Sequence, residues 1–143
     1  NAFVTWIKDD RFYTLRWIPQ DGSEAILAES GASDPDFNLR REPMVIQRVD
    51  GQSNVTFASI LEAHGRYDGA AERTTASDSQ IKNIRHVSDG DADLLMIETL
   101  AGAKSVLAIS YDQNADRTHK ATIDGQKIRW SGYAAHIKIE GGK

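Results

Sequence analysis

The chain has 143 residues, 40% of them hydrophobic and 27% charged, with a formal net charge of −4 and no cysteine. That length and balance suit one compact domain with its own core, and they exclude disulfides and thiolate metal sites. The acidic excess argues against a nucleic-acid partner, which calls for a basic stripe, and no apolar run reaches the length of a membrane span.

The opening, Asn1-Ala2-Phe3-Val4-Thr5-Trp6, reads as sequence already inside a strand, with no initiating methionine. We therefore expect a fragment of a longer polypeptide whose targeting segment lies upstream. Strand signals then recur along the chain. Phe3 to Lys8 runs to Asp9-Asp10, and Phe12 to Ile18 alternates up to Asp21-Gly22, a hairpin signal that pairs it with Glu24 to Glu29. Met44 to Val49, Val55 to Leu61, Ile81 to Val87 and Leu94 to Leu100 follow. Ser105 to Tyr111 places Leu107, Ile109 and Tyr111 on one face. Thr118 to Ile123, Lys127 to Ser131 around Asp124-Gly125, and Tyr133 to Ile139 close the series.

Nowhere does an apolar period of 3.6 persist over helix length. About ten short strands separated by tight turns predict an all-β fold, an antiparallel two-sheet β-sandwich over residues 1–143. Gly69 to Ser79 has little to bury and reads as a mobile loop, and Asp112 to Arg117 as a longer hairpin loop.

The most specified loop is Gly31 to Pro43, GASDPDFNLRREP. Asp34-Pro35 sets a turn, because the proline ring fixes its own φ and moves Asp34 out of the α region. Phe37 and Leu39 alternate with Asn38 and Arg40, tucking two apolar side chains inward. Arg40 and Arg41 form the grouped guanidinium pair, and either could hold a carboxylate bidentately. As neighbours in extended chain they face opposite ways, so one at most does so; the plainer reading is that one of them pairs with Glu42 or Asp36 and pins the loop.

The second stretch is Ile60 to Tyr67, where Glu62, His64, Arg66 and Tyr67 surround Gly65. His and Tyr suit proton abstraction beside a carboxylate, with Arg to neutralise it. The plainer reading puts Glu62 and His64 on the polar face of a strand end, with Gly65 allowing the turn. The four histidines, His64, His86, His119 and His136, lie far apart without metal-ligand spacing, so no metal and no cofactor is expected. Trp6, Trp17 and Trp130 could make a sugar-stacking platform, but their apolar alternation points to the core. No Gly-x-Ser-x-Gly or phosphate-cradling loop is present.

GASDPDFNLRREP followed by ILEAHGRY resembles the C-terminal β-sheet region of heparinase II/III-like polysaccharide lyases, closest to the alginate lyases of polysaccharide lyase family 17. Gly31, Ala32, Asp34, Pro35, Phe37, Asn38, Leu39 and Arg40 match the first motif, with Ser33 in place of asparagine. Glu62, His64, Gly65 and Tyr67 match the second, with Ala63 in place of proline. The resemblance implies a part of an enzyme. The catalytic Tyr, His and Asn, and a structural zinc, belong to an upstream helical toroid and the first sheets. No position here matches the catalytic motif, so no catalytic residue is assigned.

The expectation is a non-catalytic C-terminal domain of a bacterial alginate or heparinoid lyase that packs on the upstream toroid and sheet domain of the same chain. The resemblance also implies a periplasmic or secreted location. Arg40, Arg41, His64 and Tyr67 are the candidates for contact with acidic polysaccharide, and Asp34, Pro35 and Asn38 for shaping the loop. Two other readings stand beside it. One is a carbohydrate-binding module that uses Arg40 or Arg41 with an exposed aromatic, and the other is a self-sufficient lyase site at His64 and Tyr67.

Overall fold

A computed structural model describes residues 1–31, 41–112 and 114–139. Each regular element among the described residues is a strand, and each pairing is antiparallel. The chain divides into two compact units, Asn1–Ile18 with Ala58–Lys143, and Pro19–Phe57.

In the larger unit, β1 (Ala2–Lys8), β2 (Arg11–Trp17) and β5 (Ser59–His64) form a three-stranded sheet in the order β1-β2-β5. Asp9 and Asp10, with φ of 51° and 61°, make the left-handed two-residue turn that joins β1 to β2. The chain leaves this sheet after Ile18 and rejoins it at Ala58, where the Ile18 N–H donates to the Ala58 carbonyl at 3.1 Å. The smaller unit is the excursion between them. Its strands β3 (Ser23–Gly31) and β4 (Arg41–Val49) pair over their full length, from Ser23 opposite Val49 to Gly31 opposite Arg41.

This arrangement corrects the hairpin expected at Asp21-Gly22. The turn exists, with Gly22 at φ +72° and the Ser23 N–H donating to Gln20, but it does not pair β2 with β3. The free edge of β2 is taken by β5, more than forty residues on, in register from Phe12 opposite His64 to Trp17 opposite Ser59. Pro43 lies inside β4 opposite Glu29 and does not end the preceding loop. Val55 to Phe57 lies outside any strand, and the strand begins at Ser59. The rest of the 31–43 loop, including Asp34, Pro35, Asn38 and Arg40, lies outside the described residues.

The thirteen strands among the described residues exceed the expected ten partly because the polar 69–79 stretch contains a strand. β6 (Arg66–Asp68) and β7 (Arg73–Thr75) form a short ribbon closed by Asp68, whose carboxylate accepts the N–H groups of Ala70 and Ala71 at 3.1 Å. Backbone and carboxylate hydrogen bonds hold it where apolar burial does not.

The core lies between a four-stranded sheet and a hairpin. β8 (Ile81–Ser88), β9 (Ala92–Thr99), β10 (Lys104–Ser110) and β13 (Ala134–Ile139) pair in the order β13-β10-β9-β8. The hairpin is β11 (Thr118–Ile123) and β12 (Gln126–Ser131), closed by Asp124-Gly125 in the left-handed region. Residues two apart share a face, so Ala92, Leu94 and Met96 line up beside Val106 and Ala108. Ile123, Ile128 and Trp130 from the hairpin pack against that face, and together these residues are the buried core. This is the expected two-layer antiparallel packing. The 112–117 segment is therefore a crossover between layers, not a hairpin loop, because β10 and β11 belong to different sheets.

The opposite phase of the same strands faces outward. Leu95 and Ile97 are half-buried there, and Leu107 and Ile109 are 36% and 48% exposed. Of the three tryptophans, Trp17 and Trp130 are buried, but Trp6 is 38% exposed, which corrects its assignment to the core.

The two faces of the sheet predict unequal costs. Leu94→Ala, at a side chain with 0% exposure, should lower unfolding free energy by about 3 kcal/mol. Leu107→Ala should cost about 1 kcal/mol or less. Urea unfolding of both variants checks the difference.

Candidate functional site

β5 ends at His64 because Gly65 turns the backbone with φ +52°, a region that L side chains rarely enter. A Cβ at Gly65 would press on the Ala76 carbonyl and lie 2.6 Å from the Thr75 oxygen. Only glycine lets β5 approach the 75–76 backbone this closely. The His64 ring is 8% exposed and spans that contact. The Ala76 carbonyl can only accept, so Nδ1–H donates to it at 3.0 Å. On the other side Nε2 lies 2.8 Å from Thr14 Oγ1, which in turn lies 2.8 Å from Thr5 Oγ1. In the neutral ring, Nε2 accepts from Thr14, and a continuous relay runs from β1 through β2 and β5 to the 76 backbone. Phe12 stacks on the imidazole at 6.0 Å between centroids.

Glu62 is engaged in the same way. One carboxylate oxygen accepts from the Ser79 hydroxyl, and the other accepts the Gln80 N–H at 3.0 Å. Tyr67 is half-buried in β6, and its N–H donates to the Asp10 carbonyl at 2.8 Å, which ties the ribbon to the β1–β2 turn. The structure thus gathers Glu62, His64 and Tyr67 around Gly65, with the imidazole and carboxylate committed to protein partners. Arg41 lies in the other unit. It is 74% exposed and faces the Glu29 carboxylate across the ribbon at 3.5 Å, while Asp36 lies outside the described residues. An exposed pair of this kind is worth about 0–1 kcal/mol. Arg40, Asp34, Pro35 and Asn38 lie outside the described residues.

A second cluster was not singled out from the sequence. A cleft of about 170 Å³ is lined by Asp89 and Asp91 from the β8–β9 turn and by Arg117, His119 and Trp130 from the hairpin layer. His119 stacks on its cross-strand partner Trp130 at 5.2 Å, and its Nδ1 lies 3.4 Å from Ser110 Oγ. His119 Nε2 and Trp130 Nε1 are buried with no protein partner among the described residues. At the rim, Arg117 donates to Asp112 at 2.7 Å, and the Asn114 N–H donates to the same carboxylate at 2.9 Å. The Arg117 bond first, and the Asn114 bond second, hold the Asp112 carboxyl below the usual aspartate range. The signal for this cluster was the inward phase shared by His119, Ala121 and Ile123. An inward histidine at one position carries little weight without its partners.

No group of three or more His, Asp or Glu residues that could hold a metal occurs among the described residues. The fold and the engaged polar groups define an all-β antiparallel domain whose most distinctive motif is a structural lock. Comparison with known proteins takes this further. Residues 101–137, from the β9–β10 turn into β13, match a family described as exo-oligoalginate lyase-like, C-terminal domain. An alginate lyase of Stenotrophomonas maltophilia is 41% identical over 140 residues, 98% of this chain. An exo-oligoalginate lyase of Saccharophagus degradans is 37% identical over 137 residues, 94% of this chain. The chain spans 19% of the length of each. The chain is thus similar to the C-terminal domain of exo-oligoalginate lyase-like proteins.

Two variants test the geometry. Gly65→Ala should cost at least about 2 kcal/mol, from the left-handed φ and the displaced 75–76 backbone, read as a lower urea midpoint. Arg117→Gln should raise the Asp112 carboxyl back toward the ordinary aspartate range, because the largest stabiliser of its charged form is gone. Carboxyl chemical shifts followed through an acid titration measure it.

Proposed function

We propose that this chain is the non-catalytic C-terminal domain of an alginate lyase, and that the longer polypeptide cleaves uronate polymers by β-elimination. In that reaction a base removes the proton beside the carboxylate while a cation or hydrogen bond holds the carboxylate. The bond to the glycosidic oxygen breaks as a carbon–carbon double bond forms, and an acid protonates the leaving oxygen. Alginate is favoured over a heparinoid because both relatives are named for it. A polymer substrate also fits the periplasmic or secreted location expected for such an enzyme.

The observation that carries this reading is the outer face of the β13-β10-β9-β8 sheet. Leu95, Ile97, Leu107 and Ile109 form an apolar surface on the side away from the core. It is rimmed by polar groups, including His86, which donates to Asp93 Oδ1 at 2.6 Å, and the Ser88–Tyr111 hydroxyl pair at 2.9 Å. An antiparallel sheet with one face on the core commonly turns a polar face to water, whereas a continuous apolar face rimmed by polar residues marks an interaction surface. Relatives about five times the length of this chain supply the material to cover it. The upstream catalytic part of the same polypeptide is the occupant we assign. His64 supports the non-catalytic role, because both its nitrogens are held by protein atoms.

Incubation with alginate oligomers tests the proposal. The 143-residue chain should give no unsaturated uronate, followed by its ultraviolet absorbance, and the longer polypeptide should give it readily. Product formed by the chain alone, and abolished by His64→Gln, would establish the competing lyase site instead.

A further inference from the structure

A different surface carries chemistry that the supporting role leaves unused. Register places Trp6 directly opposite Tyr13, and Lys8 directly opposite Arg11. Steps of two put all four on one face of the β1-β2-β5 sheet. The Trp6 and Tyr13 rings stack at 5.8 Å with 18° between their planes, and Trp6 keeps 38% exposure. Lys8 and Arg11 are exposed at the tip beside this pair, and neither has a hydrogen bond or ion pair among the described residues.

Like charges directly opposite each other in a ladder destabilise it. No aspartate or glutamate within β1, β2 or β5 shares this face, since Glu62 stands opposite Thr14 on the other side, and the acids flanking the pair are Asp9 and Asp10 of the connecting turn. The tip is also held in shape. Asp9 and Asp10 occupy the left-handed turn, and the Tyr67 N–H donates to the Asp10 carbonyl at 2.8 Å. The four side chains are presented on a fixed platform, which lowers the ordering cost of binding.

We infer that Trp6, Tyr13, Lys8 and Arg11 form a binding surface for a carboxylated saccharide, with a sugar ring on the aromatic pair and its carboxylate at the cations. The aromatic face supplies apolar contact to the ring carbons, and Arg11 has the planar fork that matches a carboxylate. This surface is distinct from the outer face of the β13-β10-β9-β8 sheet, and it does not depend on the parental role proposed above.

The test titrates the protein with oligouronates from alginate and with neutral gluco-oligosaccharides of equal length, followed by calorimetry and tryptophan fluorescence. The oligouronate should bind and the neutral chain should not. Lys8→Gln with Arg11→Gln should weaken binding about tenfold, and Trp6→Ala at least as much. The double variant touches only exposed side chains and keeps the test valid if Trp6→Ala fails to fold. Lys127→Gln with Arg129→Gln removes the same charge from the exposed side of β12 and should leave affinity within about twofold. No oligouronate binding, equal binding of the neutral chain, or equal losses in the two double variants would each overturn the inference.

Discussion

The two-residue period of β9 and β10 is the constraint from which the rest of the larger unit follows. It turns Ala92, Leu94, Met96, Val106 and Ala108 onto one face, where Ile123, Ile128 and Trp130 of the hairpin cover them. The same period sends Leu95, Ile97, Leu107 and Ile109 the other way, and a slip of one residue would exchange the two sets. Both sets are largely apolar, so hydrophobicity separates the registers mainly through Asp93 and Ser105, which share the outward phase. The rest of the choice falls to the turns, with Gly90 and Gly102 in left-handed conformations, and to Asp89, whose carboxylate accepts the Asp91 and Ala92 N–H groups. Tight turns at both ends of β9 fix which face becomes core and which turns outward.

The four-stranded sheet carries apolar side chains on both faces, with Asp93, Ser105, His86 and His136 among those on the outer one. One face packs against the β11–β12 hairpin, and the other is the face proposed above for docking. The His64–Gly65 lock adds to this by fastening the second sheet to the 75–81 segment through backbone carbonyls and buried hydroxyls. That residues matching a lyase motif serve as a lock fits a domain whose contribution is shape. Its charged groups point the same way, since Glu62 and Asp112 are taken up by neighbouring donors.

Much of this was legible in the sequence. From Ile81 onward the strands were readable because alternation and turn signals such as Asp124-Gly125 are local, and each strand but β13 pairs with its neighbour in the chain. The partner of β2 was not readable, because Asp21-Gly22 is a sound local turn while the edge of β2 is claimed by β5 across the intervening unit. The β6–β7 ribbon was missed because its stability comes from Asp68, Glu62 and the His64 bond to Ala76, not from buried side chains. Trp6 was misplaced because alternation reports which residues share a face, but not which face is covered. Glu62, His64 and Tyr67 come together around Gly65. The role of this cluster was hidden because Gly65 acts through the 75–76 backbone, ten residues away.

The account stands or falls on whether the outer face of the four-stranded sheet is a seat for the remainder of a longer polypeptide. Hydroxyl-radical footprinting of Leu107, Ile109 and Tyr111, compared between the 143-residue chain and the longer protein, reads this directly. The account predicts strong modification in the chain alone and clear protection in the longer protein, with the exposed residues of β12 unchanged as an internal reference. Equal modification of the three residues in both would contradict it.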